Sequence, residues 1–246
     1  TRPETMLGDS GIAVHPEDER YQHLIGKTVK HPILGYEIPI VGDAILVDPE
    51  FGTGAVKVTP AHDFNDFETG KRHKLQLFNI FDINAHVVDA PDVKDPIKSQ
   101  IDMKAWAEYA GLERYEARKK VKAALKELGL EKGEKEHEMA LGISQRSGAV
   151  VEPMLSIQWF VDTKPLAEPA LAAVKTGETK IIPETWTKTY YHWMENIQDW
   201  CISRQLWWGH RIPAWYCLDC NATKSSDGEI RFDALAKPIV ARETPT

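Results

Sequence analysis

The chain has 246 residues, 42% of them apolar and 27% charged, with a formal net charge of −7 at pH 7. That length supports one large domain or two modest ones with real cores, and no apolar run approaches the roughly 20 residues needed to cross a bilayer. The acidic balance disfavours nucleic-acid binding by net attraction but leaves room for local basic patches, and the three cysteines are too few for a disulfide framework, which suits a reducing cytoplasmic setting.

The abrupt start Thr1-Arg2-Pro3-Glu4-Thr5, without an initiator Met, reads as a cut inside a longer protein. Residues 11–14 form a short strand pattern ahead of Pro16, and residues 17–25 a helical run ending at Gly26. Residues 38–41 and 44–47 flank Gly42-Asp43, a hairpin signal. Residues 55–59 alternate as a strand stopped by Pro60, and residues 63–72 read as a short helix. Residues 89–100 read as a loop. Residues 115–128 are predicted helical: Ala117, Val121, Ala124, Leu125 and Leu128 share a face, and Gly129 supplies the C-cap. The lysines of this helix (Lys119, Lys120, Lys122, Lys126) admit two readings, an RNA-touching face or a solvated one balanced by nearby glutamates. Beyond residue 145 the character changes to a connecting ribbon (150–161), two helical stretches (165–175 and 184–199) and a tryptophan-rich segment (200–216).

Three constellations carry chemistry. Lys57 and Thr59, two apart, project to one face of a strand, while Asp63 and Asp66, three apart, can share a helix face. With Arg2, Thr5 and His62 they set a cation, hydroxyls and carboxylates around one strand-to-helix corner. Such a corner suits an amino acid ester, carboxylate to ammonium and donors to carbonyl; helix-capping aspartates and a surface lysine explain it equally. No Gly-x-Ser-x-Gly nucleophile elbow competes, and Gly52-Thr53-Gly54 lacks the Gly-Lys-Ser/Thr of a phosphate loop. Cys217-Leu218-Asp219-Cys220 has the spacing of half a zinc site, but four ligands are required, no second pair follows, and an intact site is not expected. The run around Trp207-Trp208 reads either as an aromatic-walled pocket or as a core.

These segments together resemble the class I aminoacyl-tRNA synthetases of the valine, isoleucine and leucine group. Residues 1–6 (TRPETM) look like the threonine-rich editing motif without its first threonine, and residues 52–68 (GTGAVKVTPAHDFNDFE) are similar to the second editing motif in its valine form. Residues 151–161 (VEPMLSIQWFV) and 199–216 (DWCISRQLWWGHRIPAWY) look like the valine branch too. The resemblance implies a mixed α/β chain: a β-barrel-like editing domain inserted in a Rossmann-type core, of which only a part is present. Residues 1–145 would be the editing domain without its first strands, 146–198 the connecting ribbon and helices, and 199–246 the return into the core with a partial Cys-x₂-Cys knuckle. Carried over by matching position, Asp66 would bind the substrate ammonium; Lys57, Thr59 and Asp63 would surround the threonine side chain and carbonyl. Arg2, Thr5 and His62 would lie near the RNA end, Phe51 would be an apolar wall, and Trp208 would line the synthetic valine pocket of the full enzyme. The implied partners are tRNA(Val), threonine and valine, on a monomer without membrane contact. Editing would need no cofactor. ATP and Mg would serve the full enzyme, whose His-x-Gly-His and Lys-Met-Ser-Lys-Ser signatures are absent from this sequence. A non-catalytic tRNA-docking module and a free-standing deacylase are the alternatives.

Overall fold

A computed structural model describes residues 2–133, 140–204, 206, 208–217, 219, 222–224, 230–232 and 238–245. It is a mixed α/β structure in two compact units, Thr1–Leu155 and Ser156–Thr246. Among the described residues no helix is long and apolar enough to cross a membrane.

The first unit opens with a 3-10 turn, Pro3–Gly8, begun by a proline whose fixed φ suits a helical start. Four strands follow: β1 (Gly11–Val14), β2 (Thr28–Lys30), β3 (Glu37–Gly42) and β4 (Ala55–Val58). They form one sheet in the order β2-β3-β1-β4. β1 runs parallel to β3, Ile12 opposite Ile40, and antiparallel to β4, Ile12 opposite Lys57. The sheet is open, with β2 and β4 as its edges, and no sheet closes into a barrel among the described residues.

The structure departs from three expectations of the sequence. Residues 44–47 are not a strand: the Asp43 carboxylate accepts the Ile45 and Leu46 N–H groups and folds them into a turn, so β3 pairs with β1 instead. The 17–25 run holds only a 3-10 turn, Gln22–Leu24. The expected loop at 89–100 carries strand β6 (Val87–Asp92), paired with β5 (Asn79–Phe81), and helix α2 (Ile97–Gln100). Burial of Val93, Ile97 and Ile101 draws that segment into order.

Helix α1 (Phe64–His73) follows β4, α3 (Met103–Ala107) follows α2, and α4 (Arg114–Glu127) closes the unit. Ala117 and Val121 of α4 pack into a core with Leu7, Tyr36, Phe78 and Trp106. Phe78 and Trp106 stack with ring centroids 5.7 Å apart. In the second unit, α5 (Lys164–Lys175) packs on α6 (Thr187–Glu195), and Phe160–Val161 pairs antiparallel with Trp200–Cys201.

Candidate active site

The site is built where β4 ends and α1 begins. Alternation along β4 sends Lys57 and Thr59 to one side, and beside them stands Asp9, delivered by the 3-10 turn through Gly8. A Cβ on Gly8 would sit 2.8 Å from the Phe78 carbonyl oxygen and from Ile80 Cγ2. Only glycine lets this segment lie so close to β5. The Ser10 N–H then donates to the Val58 carbonyl at 3.0 Å and locks Asp9 alongside β4.

Lys57 Nζ donates to Thr5 Oγ1 at 2.8 Å, to Thr59 Oγ1 at 2.5 Å and to Asp9 Oδ1 at 3.2 Å. An ammonium has three N–H groups, so all its donors are engaged. The Thr59 hydroxyl in turn donates to Asp9 Oδ1 at 2.6 Å, and Thr5 donates to the Arg2 carbonyl at 3.0 Å. Thr5, Asp9 and Thr59 are buried. Burial pushes the Asp9 carboxyl up to about 6, opposed by the Lys57 charge and the hydrogen bonds from Thr59 and Lys57. Sequence reasoning misses Asp9, since a lone aspartate after a glycine carries no spacing pattern.

The Asp63 carboxylate caps α1, accepting from the Asn65 N–H at 2.8 Å and the Asp66 N–H at 3.1 Å. It therefore lies before the helix rather than on a shared face with Asp66, and it is exposed. Asp66 is buried, and its Oδ2 accepts the Thr59 N–H at 2.8 Å. Desolvation raises its pKa, opposed by that hydrogen bond and by Lys57. Its other oxygen, Oδ1, takes no hydrogen bond from the described residues. Gly70 lets α1 press on the turn, for a Cβ there would sit 2.8 Å from the Pro60 ring.

Arg2 is held by two carboxylates, Glu4 at 3.1 Å and Glu152 at 2.6 Å. Glu4 is fully buried and also takes a two-pronged contact from Arg118, at 2.7 Å on each oxygen, while Arg114 holds the second oxygen of Glu152 at 2.8 Å. These long-range pairs are invisible in the sequence. His62 is buried; its Nε2 accepts the Ile80 N–H at 3.0 Å, and burial followed by the Arg2 charge pulls its pKa down to about 3. Phe51 is 70% exposed in the turn before β4, at the opposite end of that strand from Thr59.

Of the other residues singled out in the sequence, Lys119 and Lys126 are exposed, and Lys120 pairs with Glu108 at 3.3 Å. Trp208 is 94% exposed in the second unit. Cys217 is disulfide-bonded, and Cys220 lies outside the described residues. Among the described residues no three His, Cys, Asp or Glu side chains cluster as metal ligands would.

Comparison with known proteins adds to this geometry. The family described as tRNA synthetases class I (I, L, M and V) matches residues 65–237, and the one described as leucyl-tRNA synthetase, editing domain, matches residues 1–126. The chain is 56% identical to the valine–tRNA ligase of Geobacter sulfurreducens over 223 residues, 91% of this chain and 23% of that protein. It is 52% identical to the one of Solibacter usitatus over 245 residues, 100% of this chain and 25% of the relative. With the valine–tRNA ligase of Thermotoga maritima it shares 51% over 230 residues, 94% of this chain and 25% of that one. The chain thus spans about a quarter of the length of the curated relatives it matches.

Proposed function

The chain belongs to the class I tRNA synthetases of the isoleucine, leucine, methionine and valine group, and from that premise we propose that its first unit hydrolyses threonine wrongly esterified to tRNA(Val). The full-length protein would join valine to tRNA(Val) in the cytoplasm at the expense of ATP, and the open sheet would be one side of a barrel-like editing domain.

A synthetic pocket shaped for valine rejects an isostere that merely adds a hydroxyl by only about 100-fold, the valine enzymes themselves being the standing example of that limit. A second, polar pocket reverses the preference. Seating valine there would leave its hydrogen-bonding groups unpaired, at about 1–3 kcal/mol each.

The observation that carries the reading is the division of labour within Asp66. One oxygen is spent on the Thr59 N–H, and the other is open to a substrate ammonium. Lys57, Thr59, Thr5 and Asp9 form the floor that fixes the end of β4. Asp63 would contact the threonine side chain, Arg2 and His62 would face the RNA end, and Phe51 would approach as an apolar wall. Hydrolysis then needs a positioned water and no covalent enzyme intermediate. Deacylation of threonyl-tRNA(Val) against valyl-tRNA(Val) by the full-length protein tests this. Selective release of threonine is expected; tRNA binding without any release would mean a docking module.

A further inference from the structure

Two arginines one turn apart on α4, Arg114 and Arg118, stand outside the floor of the site, yet each grips a carboxylate that also grips Arg2. Arg118 holds both oxygens of Glu4 at 2.7 Å, and Glu4 Oε1 takes Arg2 Nε at 3.1 Å. Arg114 holds Glu152 Oε2 at 2.8 Å, and Glu152 Oε1 takes Arg2 Nη2 at 2.6 Å. Residues four apart share a helix face, and both guanidinium groups lie over the Tyr115 ring, 4.8 and 5.2 Å from its centroid. Helix α4 thus presents two forks at a spacing set by the helix, and Arg2 is bracketed by the carboxylates they hold.

The network is balanced in charge. Arg114 Nε also pairs with Glu113 at 3.6 Å, so three guanidinium groups face three carboxylates, Glu4, Glu113 and Glu152. With no net charge left over, these arginines are suited to holding a geometry rather than to capturing an anion. The two-pronged form of the Arg118 contact adds direction to its strength.

What they hold reaches the site from two sides. Arg2 Nη1 donates to the His62 carbonyl at 3.4 Å, on the turn just before the Asp63 cap. The Arg2 carbonyl accepts the Thr5 hydroxyl at 3.0 Å, which leaves a lone pair of Thr5 Oγ1 for Lys57 Nζ at 2.8 Å. One residue therefore links the turn before α1 to a hydroxyl beside Lys57. The Arg2 side chain is 24% exposed, and an arginine loses much rotamer freedom when it is fixed, so the two carboxylates supply the restraint.

We propose that Arg114 and Arg118 are positioning residues of the editing site: through Glu152 and Glu4 they set the place of Arg2, and through Arg2 the Thr5 hydroxyl and the turn that delivers Asp63 and Asp66. The proposal rests on the editing reading and gives α4 a part in catalysis without any contact to the substrate.

The test replaces Arg118 and, separately, Arg114 by Lys in the full-length protein, which keeps the charge and removes the fork. Threonine release is measured on threonyl-tRNA(Val) and on the 3′-threonyl ester of adenosine, which has no phosphodiester. The expected result is a kcat about tenfold lower or more on both substrates, with KM and melting nearly unchanged. Adding Arg118→Lys to Arg2→Lys should lower kcat no further, because the first acts through the second. Where a lysine variant does not melt cooperatively, the pair Glu4→Gln and Arg118→Met removes the buried charge with its partner and carries the same expectation for kcat. A KM rise confined to the tRNA marks direct contact with phosphate and overturns the proposal. Losses that multiply in the double variant overturn it too, as does a lower melting temperature with kcat unchanged. A wild-type protein that releases threonine from neither substrate overturns the editing reading itself.

Discussion

The Asp66 carboxylate receives the backbone N–H of Thr59 at 2.8 Å, so the first turn of α1 is tied to the last residue before the Pro60 turn. A side chain and a strand end seven residues apart thereby move as one body. Any shift of α1 displaces the floor of the site with it.

Replacing Asp66 by Asn separates the two tasks of this residue. The amide oxygen still accepts from Thr59, but the charge is gone. A charge-assisted contact is worth roughly 1.5–3 kcal/mol, so kcat/KM for threonyl-tRNA(Val) should fall by about 10- to 100-fold with melting nearly unchanged. Asp66→Ala should also destabilise the fold by about 1–3 kcal/mol, because Thr59 loses its acceptor. An Asp66→Asn protein with wild-type turnover would remove this residue from the substrate.

Gly70→Ala is expected to be harmful although alanine favours a helix by about 1 kcal/mol. The added methyl meets the Pro60 ring at 2.8 Å, and a ring in a strand-to-helix turn cannot rotate away. Lower stability together with slower deacylation is the expected outcome. A stabilised, fully active variant would show that α1 does not press on the turn.

Lys57→Met removes the cation from a buried carboxylate. Stranding Asp9 should cost about 3–5 kcal/mol, and the second change Asp9→Asn should restore much of it. The effect has a defined pH dependence. Asp9 titrates at about 6 in the fold, above its ordinary 3.8, so its ionisation favours the unfolded chain and its contribution declines as pH rises through about 6. The penalty of Lys57→Met should therefore shrink in acid. Urea unfolding on both sides of that pH decides it, and a pH-independent penalty would contradict the pairing.

His31 should set part of the acid limit. Its Nδ1 accepts the Ile33 and Leu34 N–H groups at 3.1 and 3.0 Å, and its Nε2 donates to the Met6 carbonyl at 2.9 Å. A proton on Nδ1 would break the first two. Burial lowers the pKa from 6.5 to about 4, so this stability is present above 6.5 and is lost as pH falls through about 4. His62, lowered to about 3, acts in the same direction. Stability of His31→Asn should fall less steeply across that window, and an unaltered slope would assign the acid limit elsewhere.

The parts of the site legible in the sequence are those governed by local rules. The alternation around Lys57, the stop at Pro60 and the helix from Phe64 all follow from short-range patterns. Spacing alone puts Asp63 on a helix face, although an aspartate three residues ahead of Asp66 carries the signature of a cap. What stays hidden depends on distance along the chain. Asp9 meets Lys57 across 48 residues, and Arg2 meets Glu152 across 150. The turn at 44–47 escapes for a different reason: its apolar residues imitate a strand, and the side chain of Asp43 decides otherwise.

The two-pronged grip of Arg118 on Glu4 spans 114 residues. The cost of closing such a loop must be met before the contact can repay it. A ribosome releases the 3-10 turn long before it releases α4, so Glu4 has only its neighbour Arg2, and not the two-pronged grip of Arg118, while the strands between them are being made. The candidate site is accordingly a late product of synthesis, completed only when its first and last elements are both outside the tunnel.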